Sequence, residues 1–426
     1  MIETATDELI SPRLRVLREA IACDGSSALA AFWAEIEIAG APLIEPDPER
    51  SDCSLVTFLW RETEPVAHVA LIQWFSPGDF GEKLLTHLPG SDCWYRTYRL
   101  RSDLRTVYEF GPNDSLVPKR EEQDWQTRQA RWCADPLNPD GLVDPPNAAA
   151  MSEDGHKRSI LTLPGAEPQP WIAPREGVPA GSVTKSRIPS EILQNERDLW
   201  FYRPADREPD VLLVLFDAHR CLTAMQTPTL LDNLNASGET PALAAVMIDN
   251  VDRGAELPCN PEYLRFLCDE LIPFTRSVDG LDFEPTQIIP AGQSYGGLAA
   301  AYCALERPDV FAGAISQSGS FWWKPDPRND EQALVLGDAP DWAVLPRRAA
   351  TLPHSDARFY LDAGTLENRS FDDGAPSLLA SNRHMRDVLI ARGFDITYRE
   401  FAGGHDSVWW RSTLADGILA LLADPA

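Results

Sequence analysis

From residue 211 onward the chain alternates strand-length apolar runs with helix-length amphipathic ones, and no other feature narrows the fold so much. The runs are Val211-Leu212-Leu213-Val214-Leu215-Phe216, then residues 243–248, 286–291, 310–317, 358–362 and 396–401. Helical periodicity occupies residues 261–271, 297–305, 376–392 and 412–422. Strands that are apolar throughout, without in–out alternation, are buried on both faces, which requires a mostly parallel sheet with helices on either side. Residues 187–202 read as an antiparallel hairpin leading into that sheet.

The first part of the chain has different periods. Leu14, Val16 and Leu17, then Leu29, Phe32, Trp33 and Ile36, are spaced for two short helices. From Val56 the pattern shortens to β-branched and aromatic runs: Val56-Thr57-Phe58-Leu59-Trp60, Val66 to Ile72, Trp94 to Tyr98 and Thr106 to Phe110. With Pro, Gly, Asp and Asn between them, these predict a small antiparallel β-sandwich of the immunoglobulin-like kind. Proline, glycine and polar residues accumulate over residues 136–189, which therefore read as linker and loops. The chain divides near residue 180, with the sandwich, its leading helices and the linker in 1–180 and an α/β-hydrolase domain in 181–426.

Charge narrows the function. Thirty-eight basic against 65 acidic side chains give a net charge of −27, which repels phosphate backbones and anionic headgroups. Nucleic acid and membrane surfaces are thus poor partners. Met1 to Glu8 carries acids where a secretory signal has a basic start, and no apolar run approaches the ~20 residues of a membrane span. The eight cysteines are scattered without a Cys-x-x-Cys pair or a His-x-x-x-His companion. A soluble cytoplasmic protein with buried thiols, no metal site and no cofactor is expected.

The chemistry is written after the run 286–291. Gly292-Gln293-Ser294-Tyr295-Gly296-Gly297 joins that strand to the alanine-rich helix start Leu298-Ala299-Ala300-Ala301. A chain turning this sharply needs residues without bulk on both sides of a nucleophile, and the turn holds Ser294 exposed at the strand's carboxyl end. A serine hydroxyl needs a base. His405, in the Gly-Gly-His loop after the last strand, stands where the base belongs in the chain order Ser, acid, His. His354 precedes a strand, His384 lies within a helix and His219 follows the first apolar run. Asp362 and Glu367, at and beyond the end of run 358–362, both qualify as the orienting acid, and Glu367 follows the glycine turn. The oxyanion needs fixed N–H donors. Tyr295 supplies one, and the loop after Phe216, at Asp217 or Ala218, supplies the other.

Three segments together carry a resemblance: residues 291–300, Ser316-Gln317-Ser318-Gly319-Ser320-Phe321-Trp322-Trp323, and Gly403-Gly404-His405-Asp406-Ser407-Val408-Trp409-Trp410-Arg411. With Ile248-Asp249, Arg253-Gly254-Ala255-Glu256-Leu257 and Asp135-Pro136-Leu137-Asn138, they make most of the chain resemble the enterochelin esterases. The resemblance implies a cytoplasmic serine esterase that cuts the trilactone of a ferric or iron-free catecholate siderophore, with iron arriving only on the substrate. It implies Ser294 as nucleophile, His405 as base and Glu367 as acid. Ala218 replaces the glycine usual in the family's Asp-Gly pair, so its methyl bears on the second oxyanion donor. Arg253 is placed near the substrate, as the local positive charge that a trianionic ferric catecholate needs on so acidic a protein; Glu256 is the acid it would otherwise pair with. Trp322, Trp323, Trp409 and Trp410 make a candidate aromatic wall for a catechol, and the Asp135–Asn138 turn a candidate packing element between domains. Two other readings remain: an esterase for a different aryl ester, polyester or acylated sugar, and a glycan- or partner-binding protein with a vestigial hydrolase domain.

Overall fold

The computed structural model describes residues 9–73, 75, 80–118, 121–144, 155–279, 283–325, 342–370 and 374–423, so the start at Met1 to Glu8 lies outside the described residues. Two compact units emerge: Met1–Pro168 together with Ala402–Val408, and Gln169–Phe401 together with Trp409–Ala426.

In the first unit the helix Pro12–Ala39 is capped by the Ser11 side chain and broken at Gly25, whose φ of 45° and ψ of −115° separate two helical halves. One half buries Leu14 and Leu17, the other Phe32, Trp33 and Ile36, whereas Val16, grouped with them by spacing, is 55% exposed because it points away from that face. The strands are β1 (Leu43–Pro46), β2 (Cys53–Arg61), β3 (Val69–Gln73), β4 (Thr86–His87), β5 (Cys93–Arg101), β6 (Arg105–Pro112), β7 (Gly141–Asp144) and β8 (His156–Thr162). Among the described residues they form two four-stranded antiparallel sheets, ordered β1-β2-β5-β4 and β3-β6-β8-β7. Aromatic rings join the sheets face to face: Phe58 of β2 meets Tyr108 of β6 at 4.7 Å between centroids, and Trp60 meets Phe110 at 5.5 Å.

Residues 136–189 are more structured than their composition suggests. They supply β7 and β8, and β8 lies inside its sheet between β6 and β7. The polar residues that suggested a loop are consumed by hydrogen bonds. Asp135, 2% exposed, accepts from the Tyr108 hydroxyl at 2.7 Å, and its N–H donates to Ser159 Oγ of β8. Asn138 Nδ2 donates to the Tyr108 hydroxyl and to Ile160 O. The Asp135–Asn138 turn therefore bolts β6 to β8 within the first unit. Burial pushes the Asp135 carboxyl up to about 6, against the donated hydrogen bonds of Tyr108 and the Leu137 N–H.

The second unit carries β9 (Ser182–Ser190), β10 (Asn195–Arg203), β11 (Val211–Phe216), β12 (Leu243–Ile248), β13 (Ile288–Gln293), β14 (Gly313–Gln317), β15 (Arg358–Gly364) and β16 (Asp395–Phe401). Their order is β16-β15-β14-β13-β11-β12-β10-β9; β9 and β10 form the antiparallel hairpin, and β11 to β16 pair in parallel. Every residue of β11, β12 and β13 is buried, which is why these strands read as unbroken apolar runs. The strand order reverses at β11, with β12 on one side and β13 on the other. Ligands of open parallel sheets bind at such a reversal, outside the carboxyl ends of the strands.

The turn in the first unit yields a stability test. Asn138→Ala removes both donors from the Tyr108 hydroxyl and Ile160 O, and is expected to cost about 2 kcal/mol. An unchanged thermal midpoint would show that the turn is not what holds β6 to β8.

Candidate active site

Ser294 directly follows β13 with φ 59° and ψ −118°, a conformation that strains any residue with a Cβ. Its surroundings impose it. The Ser294 N–H donates to Gln317 O, its carbonyl accepts from the Ser320 and Leu298 N–H groups, each at 3.0 Å, and the helix Tyr295–Glu306 starts at the next residue. A Cβ on Gly292 would lie 2.6 Å from the Gly296 carbonyl carbon, and one on Gly297 2.8 Å from Ser316 Oγ. A Cβ on Gly296 would meet Phe216 at an ordinary 3.4 Å. The glycine that the strand–helix approach demands is therefore Gly292, with Gly297 second. Ser294 is half-buried, and its Oγ lies 3.2 Å from Ser320 Oγ.

Below the turn runs a buried polar chain. Gln293 Nε2 donates to Gln317 Oε1 at 2.8 Å, and Gln317 Nε2 donates to Trp410 O and Thr413 Oγ1. Trp410 Nε1 donates to Ser318 Oγ, and the Ser318 N–H donates to Asp362 Oδ1. Sequence reasoning gave Gln293, Gln317 and Thr413 no role of their own. The Ser-Gln-Ser-Gly-Ser stretch that ends β14 and leads out of it, too polar for a strand end facing a helix, is the signal that could have found them.

Asp217 ends β11 in the left-handed region at φ 59° and is the N-cap of the helix Ala218–Leu222. Ala218 is thus the first helical residue, in a conformation where a methyl costs nothing, and its N–H belongs to the first turn, which lacks intrahelical acceptors. The left-handed position is Asp217, so the alanine does not disturb this donor's backbone. Arg253 does not pair with Glu256. Its Nε and Nη2 clamp Asp217 at 2.7 and 2.8 Å, and Nη2 also donates to Gln293 O. Glu256 is taken by the buried Arg197 at 2.9 and 3.0 Å. Burial works against the charged form of Asp217, but Arg253 outweighs it and holds the carboxyl below its usual range. The guanidinium of Arg253 therefore serves the Asp217 turn, and its charge is already neutralised.

The two candidate acids occupy different places. Asp362 is fully buried on β15, where burial pushes it up to about 7, with the nearby Glu367 charge acting in the same direction and the Thr413 hydroxyl and Ser318 N–H opposing. Glu367, 5% exposed, sits in the turn beyond β15, its Oε2 accepting from the Gly364 N–H at 2.8 Å. His405 is half-buried in the loop that leaves β16, a loop grouped with the first unit, where the Arg105 N–H donates to Ala402 O and Thr106 Oγ1 to Asp406 Oδ2.

The aromatic wall shrinks. Trp323 is 6% exposed within the hydrophobic core, Trp409 is 2% exposed and stacks on Phe401 at 5.0 Å, and Trp410 is spent on Ser318. Trp323 and Trp409 are therefore packing residues, because each faces the core instead of an opening. Trp322 is half-buried, its ring 6.2 Å from Tyr295 and 5.9 Å from Trp342, a residue that no motif singles out. Among the described residues no group of three or more His, Cys, Asp or Glu side chains could hold a metal ion, and no helix is long and apolar enough to cross a membrane.

A left-handed serine between strand and helix, at the carboxyl ends of a parallel sheet beside its point of reversal, makes the second unit that of a serine-type ester hydrolase. Residues 190–421 match the family described as "Putative esterase", and residues 55–172 the family described as "Enterochelin esterase, N-terminal". The chain belongs to the enterochelin esterase family. It is 28% identical to the iron(III) enterobactin esterase of Dickeya dadantii over 92% of each chain, and 26% identical to the iron(III) salmochelin esterase of Escherichia coli O6:H1 over 94% of this chain and 96% of that one. The crystal structure of the Shigella flexneri enterobactin esterase in the presence of enterobactin is similar at 27% identity and a TM-score of 0.70, covering 90% of this chain and 95% of that one.

Two predictions follow from the geometry. Gly292→Ala should lose about 3 kcal/mol of stability by forcing backbone apart, while Gly296→Ala stays within about 1 kcal/mol of wild type; equal losses in denaturant titrations would refute the spacing argument. For Asp362 the folded pKa is raised, so its stabilising contribution is complete below the unfolded value near 4 and is lost as pH rises through about 7. Asp362→Asn should therefore gain on wild type in thermal midpoint between pH 5 and pH 8, by about 3 °C or more. A pH-independent gap would mean that this carboxyl is not protonated in the folded state.

Proposed function

We propose that this chain is a serine esterase that hydrolyses the trilactone ester bonds of a catecholate siderophore, ferric or iron-free, in the cytoplasm, releasing iron carried in on the substrate. The observation that carries the reading is the left-handed Ser294 turn in a chain whose relatives, over most of its length, are iron(III) enterobactin and salmochelin esterases.

Ser294 Oγ attacks the lactone carbonyl while the His405 imidazole takes its proton; the negative oxygen of the tetrahedral adduct is met by the Tyr295 and Ala218 N–H groups. Collapse breaks the ester C–O bond, and His405 returns the proton to the leaving alkoxide. Water then attacks the seryl ester in the same way, giving a carboxylic acid and restoring Ser294. Glu367 orients the imidazole. Its support is its turn beyond Gly364, whereas Asp362, buried and raised to about 7, suits a protonated structural role beside Ser318. Trp322, Tyr295 and Trp342 give a catechol ring an aromatic surface to pack on.

Incubation with ferric and iron-free catecholate trilactones, followed by mass analysis of the products, tests the reading. Ser294→Ala should abolish turnover and labelling by a fluorophosphonate while leaving the fold intact. Glu367→Gln should lower kcat by about a hundredfold or more, and Asp362→Asn by less than about tenfold. The reverse ranking assigns the acid to Asp362, and turnover of simple aryl esters alone sinks the siderophore reading.

A further inference from the structure

Arg253 is paired with Asp217, which leaves a place for a second cation to meet the charge of an anionic substrate. The loops leaving β13, β14 and β15 carry Ser294, Trp322 and Arg369 in turn, and these three strands are neighbours in the sheet. Strand spacing puts the β13 and β15 ends about 10 Å apart, the scale of one aryl arm of a multi-arm substrate.

Arg369 lies two residues beyond Glu367 and is half-buried. Among the described residues it makes no hydrogen bond and no ion pair, and burial is the one influence on its pKa, which it pushes down. This is not a shortage of acids, since the chain has 65 of them against 38 Lys and Arg. Two arginines that the fold removes from water are paired with acids, Arg197 with Glu256 and Arg128 with Asp114. A guanidinium partly stripped of water, with no acceptor among the described residues, carries a desolvation cost that an arriving anion offsets.

We propose that Arg369 is the substrate-binding residue that reads negative charge at the Ser294 site, donating to a catecholate or carboxylate oxygen of the bound ester. The siderophore as the source of that oxygen rests on the function proposed above; the preference for an anion does not.

The test uses two aryl esters with the same leaving group, one bearing a carboxylate on its acyl ring and one neutral, hydrolysed by the full-length protein. Arg369→Gln should lower kcat/KM for the anionic ester about tenfold and leave the neutral ester within about twofold. Arg369→Lys should recover part of the loss, and the preference of wild type for the anion should weaken at high salt. Equal losses on both esters, or none on either, overturn the proposal. If Arg369→Gln does not fold, Arg369→Met, which keeps the aliphatic stem, is read by the same criterion. An anionic preference that vanishes in the variants, in a protein that leaves catecholate trilactones intact, upholds Arg369 and removes the siderophore.

Discussion

The strained conformation of Ser294 is the constraint around which the second unit is arranged. A residue with a side chain held at φ 59° and ψ −118° costs of order 1–3 kcal/mol and persists only where the surroundings over-determine it. Here they do so from three sides. The backbone of Gly292 lets Gly296 come within contact distance, the Gln317 carbonyl fixes the Ser294 N–H, and the Ser320 and Leu298 N–H groups fix its carbonyl. The amide chain from Gln293 through Gln317 to Thr413 and Trp410 then prevents the ends of β13 and β14 from sliding, because a slip would strand buried donors. The polar groups are buried so that one geometry is much better than its neighbours.

What could be read from the sequence was local. Apolar runs without alternation revealed the parallel strands; the glycine–serine spacing between a strand and an alanine-rich segment revealed the turn; the break at Gly25 left two helical faces visible on either side. What could not be read depended on residues far apart in the chain. Arg253 and Asp217 are 36 positions apart, and no period links them, so the nearer Glu256 looked like the partner. Asp135 and Asn138 read as loop because the Tyr108, Ser159 and Ile160 groups that satisfy them lie on other strands. Tryptophan pairs after a motif look alike whether they line an opening or fill a core; only the fold separates Trp322 from Trp323 and Trp409.

The acidity of the chain is not spread evenly over its chemistry. At the end of β11 Asp217 is held ionised by the Arg253 clamp, so the pair presents little net charge. At the end of β15 the balance differs: Asp362 is raised to about 7, and among the described residues Arg369 makes no hydrogen bond or ion pair. Both offset the negative charge that Glu367 brings to that end of the sheet. With a Debye length of about 8 Å at physiological salt, it is this local balance and not the total of −27 that an anion meets on close approach.

The same carboxyls tie stability to pH in both units. Asp406, 1% exposed next to His405, is pushed up to about 6 by burial, against the favourable charge of Arg158 and the Val408 N–H, and Asp135 reaches about 6 for the same first reason. A carboxyl whose folded value exceeds its unfolded one contributes stability that is complete below about pH 4 and is lost as pH rises through its folded value. Raised acids on Asp135, Asp362 and Asp406 therefore all weaken the fold toward neutral pH, whereas Asp114 and Asp217, lowered despite burial by Arg128 and Arg253, lose their contribution only in acid. Asp362 and Asp406 lie directly beside proposed site elements, Asp362 under the Ser318 turn and Asp406 adjoining His405. Apolar residues there would remove the cost, but they would also remove the acceptors of the Ser318, Val408 and Thr106 donors, and those hydrogen bonds define the loops. Loop geometry at the site is thus obtained at the expense of stability near neutral pH.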